Sequence, residues 1–174
     1  MPFYIIRNDI TRMDVDAIVN AANNQLMAGG GVCGAIFQAA GMYAMSSACD
    51  KIGYCATGKA VITSGFNLAA NHVIHAVGPI WQGGFENEEK LLADAYVNSL
   101  NLAIDNNLES VAFPIISTGS YGFPKEKAFS IASDTIKGFI EEKDLTVYLV
   151  LYDSKSFSIG KNTHPDIREY ISER

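Results

Sequence analysis

Asp16-Ala17-Ile18-Val19-Asn20-Ala21-Ala22-Asn23, continuing as Asn24-Gln25-Leu26-Met27-Ala28-Gly29-Gly30-Gly31-Val32-Cys33-Gly34-Ala35-Ile36, is the stretch whose reading decides the fold. Its first part is a short apolar run, Ala17 to Ala21, of the length of a buried strand. Gly29, Gly30 and Gly31 then break the chain. Successive glycines let the backbone approach a bound group closely and adopt positive φ without strain. A helix is expected from about Val32 to Ala40, with its resumption after Gly41 left open. Strand, glycine loop and helix in that order put unpaired N–H groups and the positive end of a helix dipole beside the loop, where a phosphate is favoured. The competing reading is a plain surface turn, which seldom needs three glycines.

Strand and helix signals alternate on both sides of this stretch. Phe3 to Arg7 reads as a strand, as do Lys59 to Thr63 and His72 to Val77, with Gly65-Phe66-Asn67 turning between the latter two. Asn87 to Asn106 has a helical stripe of Leu92, Tyr96, Ser99 or Leu100, and Ala103. Val111 to Ile116 reads as a strand carrying Pro114. Pro124 then suits a first helical turn, and Ala128, Ile131, Ala132, Thr135, Ile136, Phe139 and Ile140 follow it at helical spacing. Leu145 to Leu151 is an uninterrupted apolar strand, and a last helix is expected from about Pro165 to Ser172. This order implies an α/β layer structure, with ligands bound beyond the carboxyl ends of the strands. The 174 residues, 48% hydrophobic and 18% charged, fit a single domain spanning 1–174.

Charge narrows the function. The net charge of -6 disfavours a nucleic-acid partner. Between Arg12 and Lys51 there is no Lys or Arg, so an anion at the glycine loop must be held by backbone N–H groups. That suits a small phosphorylated ligand. The first residues are charged too early for a signal peptide, and the run Leu145 to Tyr152 is too short to span a bilayer. Cys33, Cys49 and Cys55 form no CxxC pair and read as free thiols. The protein is therefore expected to be soluble and cytoplasmic, with no membrane partner. His72, His75 and His164 are not spaced as metal ligands, and His75 reads as a satisfied core residue. No metal or cofactor is called for.

Three further segments carry chemistry. Ser117-Thr118-Gly119-Ser120-Tyr121-Gly122-Phe123-Pro124 offers hydroxyls, glycines and the start of a helix, the ingredients of an anion nest, with Tyr121 and Phe123 available to cover a ligand. Asp9, just after the first strand, either accepts a hydrogen bond from an exocyclic amine such as that of adenine or caps a turn. Tyr152, at the end of the last strand, either stacks on a base or simply packs. Gly29, Gly31 and Gly34 satisfy GxGxxG, but too far beyond the strand for a dinucleotide fingerprint, and no GxxxxGK[ST] occurs.

Five pieces in order resemble the macro domain family: Asn8-Asp9-Ile10-Thr11, Asp16 to Asn23, Gly29 to Ile36, His75-Ala76-Val77-Gly78-Pro79-Ile80-Trp81, and Ile116 to Pro124. The resemblance implies a three-layer α/β/α sandwich with a central mixed sheet and an ADP-ribose cleft across its crest. It implies that Asp9 holds the adenine amine with Ile10 packed nearby, and that Tyr152 stacks on adenine. By the same likeness Gly30, Gly31, Val32, Cys33 and Gly34, with Ser117, Thr118, Gly119, Ser120, Tyr121, Gly122 and Phe123, surround the diphosphate. Asn20, Ala22 and Asn23 fall on the ligand side, with Asn23 at the distal ribose.

The chain also departs from that pattern. Hydrolytic members with this pattern commonly carry an aspartate ten residues after the second asparagine, where this chain has Cys33, and often a histidine where it has Phe37. Asn8 and Ala28 replace glycines. A thiol is a poor general base for water beside phosphates, so Asn23 and a ligand phosphate would have to position the water. The preferred expectation is an enzyme that removes an ADP-ribosyl group from protein or deacylates O-acetyl-ADP-ribose by water attack at the distal ribose. The domain's completeness as a free-standing unit favours it, whereas Cys33 favours the alternative, a non-catalytic reader of ADP-ribose or of ADP-ribosylated proteins. A phosphatase acting on ADP-ribose 1''-phosphate is a lesser alternative.

Overall fold

The computed structural model describes residues 3–163 and the pair 168–169. Strand β1 (Phe3–Arg7) leads through a 3-10 turn at Ile10–Arg12 to β2 (Ala17–Ala22), helices α1 (Gly31–Ala40) and α2 (Met42–Ile52), and strands β3 (Ala60–Ser64) and β4 (His72–Val77). Helix α3 (Glu88–Asp105), β5 (Ser110–Phe113), α4 (Lys125–Ile140), β6 (Thr146–Leu151), α5 (Ser154–Thr163) and β7 (Arg168–Glu169) follow. The strands lie in the order β3-β4-β2-β5-β6-β1-β7. Among the described residues only β3, against β4, is antiparallel, so the sheet is mixed.

Alternation along the strands builds two cores. Ala17 and Val19 of β2, Ile74 and Ala76 of β4, and Val147, Leu149 and Leu151 of β6 face the helices α3, α4 and α5. Their neighbours Ile18, Val73, Val77 and Val150 face the 3-10 turn, α1 and α2. A period of two along strands buried on both faces gives three layers, α/β/α. Burying one of these large side chains contributes roughly 1.5–3 kcal/mol before entropy is counted. The stripe Leu92, Tyr96, Ser99, Leu100 and Ala103 of α3 is fully buried, as its spacing predicts.

Gly41 ends α1 at φ 111 and starts α2. The two helices bend by 110° about it and cover the second face as separate rods. Among the described residues no single helix is long and apolar enough to cross a membrane.

Two expectations need correction. The strand expected over Val111 to Ile116 stops at Phe113. Pro114 has no N–H for the ladder, and the chain beyond it is bonded instead to Tyr96, whose hydroxyl donates to Pro114 O (3.0 Å) and accepts from Ile116 N (3.0 Å). The helix expected from Pro165 to Ser172 is replaced at Arg168–Glu169 by β7, paired with Ile6 and Arg7, and the rest of that range lies outside the described residues. Helix α5 starts earlier, at Ser154, where the Asp153 carboxylate accepts from Ser156 N.

Candidate functional site

The parallel strands β1, β2, β4, β5 and β6 end on one edge of the sheet, and a cleft of about 740 Å³ lies along it. Its walls are the residues just past each strand end: Asn8, Asp9 and Ile10 after β1, Ala22 and Asn23 at β2, Gly78 after β4, Pro114 to Tyr121 after β5, and Val150 to Asp153 at β6. Gly29, Gly30, Gly31, Val32, Cys33 and Ala35 close one side.

Asp9 and Tyr152 stand at the β1–β6 end. One oxygen of Asp9 accepts from Thr11 N (3.0 Å) and Thr11 Oγ1 (2.7 Å), capping the 3-10 turn. Its other oxygen lies 4.0 Å from Arg12 Nε. Asp9 thus both caps a turn and lines the cleft, so the two sequence readings are not exclusive. Tyr152 is 75% exposed and lines the cleft.

On the glycine side, Gly30 is the N-cap of α1 and the bond from Gly34 N to Gly30 O (3.3 Å) follows it. The N–H groups of Gly31, Val32 and Cys33 precede that bond and are the donors a helix start leaves open. Asn23 donates from Nδ2 to Met27 O (2.9 Å) and accepts at Oδ1 from Met27 N (3.0 Å). This pair fixes the orientation of its amide and leaves one Nδ2 hydrogen and one Oδ1 lone pair for a ligand. The Cys33 thiol is 6% exposed and donates to Met27 O at 3.7 Å. The other two thiols are removed from the cleft. Burial foremost, with Cys33 and Asp50 adding, pushes Cys49 up to about 11, and burial raises Cys55.

Behind this wall runs a buried polar chain. Asn20 Nδ2 lies 3.1 Å from His75 Nδ1 and donates to Cys33 Sγ at 3.6 Å. An amide nitrogen only donates, so Nδ1 accepts and the ring proton sits on Nε2, which donates to Thr63 Oγ1 at 3.0 Å. Burial lowers His75 to about 4, keeping the ring neutral at pH 7. His75 is the satisfied core residue its strand suggests.

Four residues read as ligand contacts stand off the cleft surface. Asn20 is 1% exposed and turned toward His75. Gly34 serves the loop itself, since a Cβ there would meet Gly29 O at 2.4 Å. Gly122, at φ 72, closes the second loop through Gly122 N to Gly119 O (3.0 Å). Phe123 is a core side chain whose ring packs on Trp81 with centroids 4.7 Å apart and does not line the cleft. The remaining expected positions, Asp9, Ile10, Ala22, Asn23, Gly30, Gly31, Val32, Cys33, Ser117, Thr118, Gly119, Ser120, Tyr121 and Tyr152, line one cleft.

In the second loop Ser117 adopts φ 70 and its buried Oγ has no hydrogen-bond partner among the described residues. Gly78 makes room for it, because a Cβ at 78 would lie 2.2 Å from Ser117 Oγ. The bond from Phe123 N to Ser117 O (2.9 Å) ties the loop shut before α4 begins.

Sequence reasoning missed Lys125 and Ser156, and gave Asp153 no role. Lys125 follows Pro124 at the start of α4 and is the one Lys or Arg among the described residues lining the cleft. Hydrogen bonding from Ser156 foremost holds the Asp153 carboxyl below its usual range against a desolvation that raises it, with the charges of Lys125 and Arg7 assisting. The signal was present: an acidic residue three before a serine, directly after an apolar strand, is a helix start. No group of three or more His, Cys, Asp or Glu is arranged to hold a metal among the described residues.

These features define a three-layer α/β/α domain with a cleft between two backbone-rich loops at the carboxyl edge of the sheet. The Macro domain family model matches residues 19–132. An O-acetyl-ADP-ribose deacetylase of Cronobacter turicensis is 52% identical over 159 residues, covering 88% of this chain and 90% of its own. A point mutant of the Oceanobacillus iheyensis macrodomain, with ADPR, superposes with a TM-score of 0.85 at 40% identity, covering 91% of this chain and 89% of that one. A Trypanosoma brucei macrodomain in complex with ADP-ribose gives 0.84 at 32% identity, covering 93% of this chain and 68% of that one. The chain belongs to the macro domain family.

Proposed function

We propose that this macro domain binds ADP-ribose along the cleft and hydrolyses an ester or glycosidic linkage at its distal ribose, O-acetyl-ADP-ribose being the first substrate to try. The observation that carries the reading is the convergence in one cleft of Asp9 and exposed Tyr152 at one end, two N–H-rich loops in the middle and Asn23 beyond them. A nucleoside base, a diphosphate and a second sugar need those groups in that order. The names of the Cronobacter relative and of the ligand-bound neighbours support the same choice.

On this reading Asp9 accepts from the adenine amine and Tyr152 stacks on the ring. The start of α1 and the 117–121 loop donate to the diphosphate, with Lys125 adding positive charge. In ester hydrolysis water forms the new bond to the acyl carbon, and the bond from that carbon to the ribose oxygen breaks. The ribose oxygen leaves with a proton, giving a carboxylic acid and ADP-ribose. Asn23 positions the water or the ribose hydroxyl through the donor and acceptor its Met27 contacts leave open. The three unpaired thiols suit a reducing compartment, and we place the protein in the cytoplasm.

A second reading is favoured by one observation. The Cys33 thiol is tied to the Met27 carbonyl and offers no carboxylate to the water, which suits a reader of ADP-ribose on proteins. Hydrolysis of O-acetyl-ADP-ribose by the wild type and by Asn23→Ala separates the two. The enzyme reading expects turnover that falls about 10²-fold or more in Asn23→Ala, whereas binding with no turnover by the wild type leaves the reader.

A further inference from the structure

Outside the cleft, the loop between β4 and α3 is organised around a carboxylate. Glu88, the first residue of α3, is 1% exposed. Its Oε2 accepts from Gln82 N (2.8 Å) and Gly84 N (2.8 Å), and its Oε1 accepts from Glu86 N (2.5 Å). No cation pairs with it among the described residues. Burial pushes its carboxyl upward, but backbone hydrogen bonds from Gln82, Gly84, Glu88 itself and Glu86 outweigh that and take it down to about 2. A carboxylate saturated by backbone N–H groups at a helix start dictates the path of the loop around it. That path needs Gly83 and Gly84 at φ 91 and 92 and Asn87 at φ 60.

The loop so shaped holds Trp81 against the second phosphate loop. Trp81 N donates to Tyr121 O at 2.8 Å, and the indole packs on Phe123, the residue that closes the loop on Ser117. Gly84 lies close against the indole, a Cβ there falling 3.1 Å from its ring. The chain of contacts therefore runs from the Glu88 carboxylate through Gly84 and Trp81 to the backbone of Ser117 to Tyr121, which lines the cleft.

We propose that Glu88 is a positioning residue for the diphosphate part of the site: it touches no ligand, but through Trp81 it holds the 117–121 backbone in the conformation that receives the distal phosphate. The proposal rests on the ADP-ribose reading above. Among the described residues no hydrogen bond or ring contact joins Glu88 or Trp81 to Asp9, to Tyr152 or to the α1 loop, so the effect is expected in one part of the ligand.

The test is Glu88→Gln, which keeps the shape but replaces a double acceptor by one acceptor and one donor. Calorimetric affinities for ADP-ribose and for AMP, which lacks the distal phosphate and ribose, are compared with the emission of Trp81, the chain's single tryptophan. The expected result is a loss of about tenfold or more for ADP-ribose, AMP affinity within about twofold, and a red-shifted emission. Trp81→Leu, with the carboxylate and its N–H groups intact, gives the same selective loss and serves if Glu88→Gln does not fold. Equal loss of both ligands, or no loss, in a folded variant overturns the positioning role. Failure of the wild type to bind ADP-ribose overturns the site reading itself and this inference with it.

Discussion

Asn23 and Cys33 bound the same corner of the cleft, and both contact the carbonyl of Met27. Replacing the thiol by a carboxylate puts a base where none stands, beside the Asn20 amide that now donates to sulfur. Cys33→Asp is therefore expected to raise hydrolytic turnover by at least about tenfold, within the ~10²–10⁴ that a general base supplies. An unchanged rate with intact ligand binding would count against a base acting from this position. At this scale the sequence was informative where a side chain's role depends on local chain geometry. Asp9 and Asn23 follow strands closely and the glycine loop opens a helix, and their placement could be read from that. It was uninformative where the partner lies far along the chain. Asn20 turns to His75, 55 residues away, and Phe123 turns to Trp81, so neither lines the cleft.

Helix α3 does more than cover the sheet. Tyr96, fully buried, bridges Pro114 O and Ile116 N just before the 117–121 loop, and burial pushes its phenol well above the usual range. Removing the hydroxyl strands two buried backbone groups. Tyr96→Phe is expected to lower unfolding free energy by roughly 1–3 kcal/mol, measured by urea denaturation. A cost below about 0.5 kcal/mol would show that water or a rearranged backbone satisfies them. Elements with a sustained period were legible, α3 almost residue for residue, whereas in α4 Phe129 and Ser133 are buried outside the expected stripe and Ile131, Thr135 and Phe139 within it are half-buried. The end of β5 was less so, because an apolar run through Ile115 and Ile116 conceals that Pro114 ends the ladder. Helix α5 was missed because Ser154-Lys155-Ser156-Phe157 has too few apolar residues to show a period, although Asp153 marks its start.

Across the whole molecule, stability is linked to the neutral imidazole buried on the α1 and α2 face of the sheet. His75 has a folded value of about 4 against 6.5 when exposed, so between those values the unfolded chain binds the extra proton. Its contribution is complete above about pH 6.5 and is lost as pH falls toward 4, amounting to roughly 3 kcal/mol at most. Glu88 acts lower, its contribution being present above 4.5 and lost toward 2. Urea midpoints measured from pH 7 to pH 4.5 should therefore fall before the carboxylates titrate. A flat profile over that range would mean that His75 is solvated in the native state. The layered architecture and the sheet-edge site follow from the alternation of strand and helix, whereas the sheet order, with β2 and β5 adjacent and β1 beyond β6, depends on long-range pairing that local patterns do not encode.

The central claim is that the strand-end cleft is an ADP-ribose site, and calorimetric titration of the wild type and Tyr152→Ala with ADP-ribose tests it most directly. The account predicts saturable one-to-one binding by the wild type. Tyr152→Ala should bind about tenfold more weakly, the loss of roughly 1–3 kcal/mol of base stacking, with its thermal stability unchanged because the ring is already exposed. No heat of binding from the folded wild type, or equal affinity in both proteins, would contradict it.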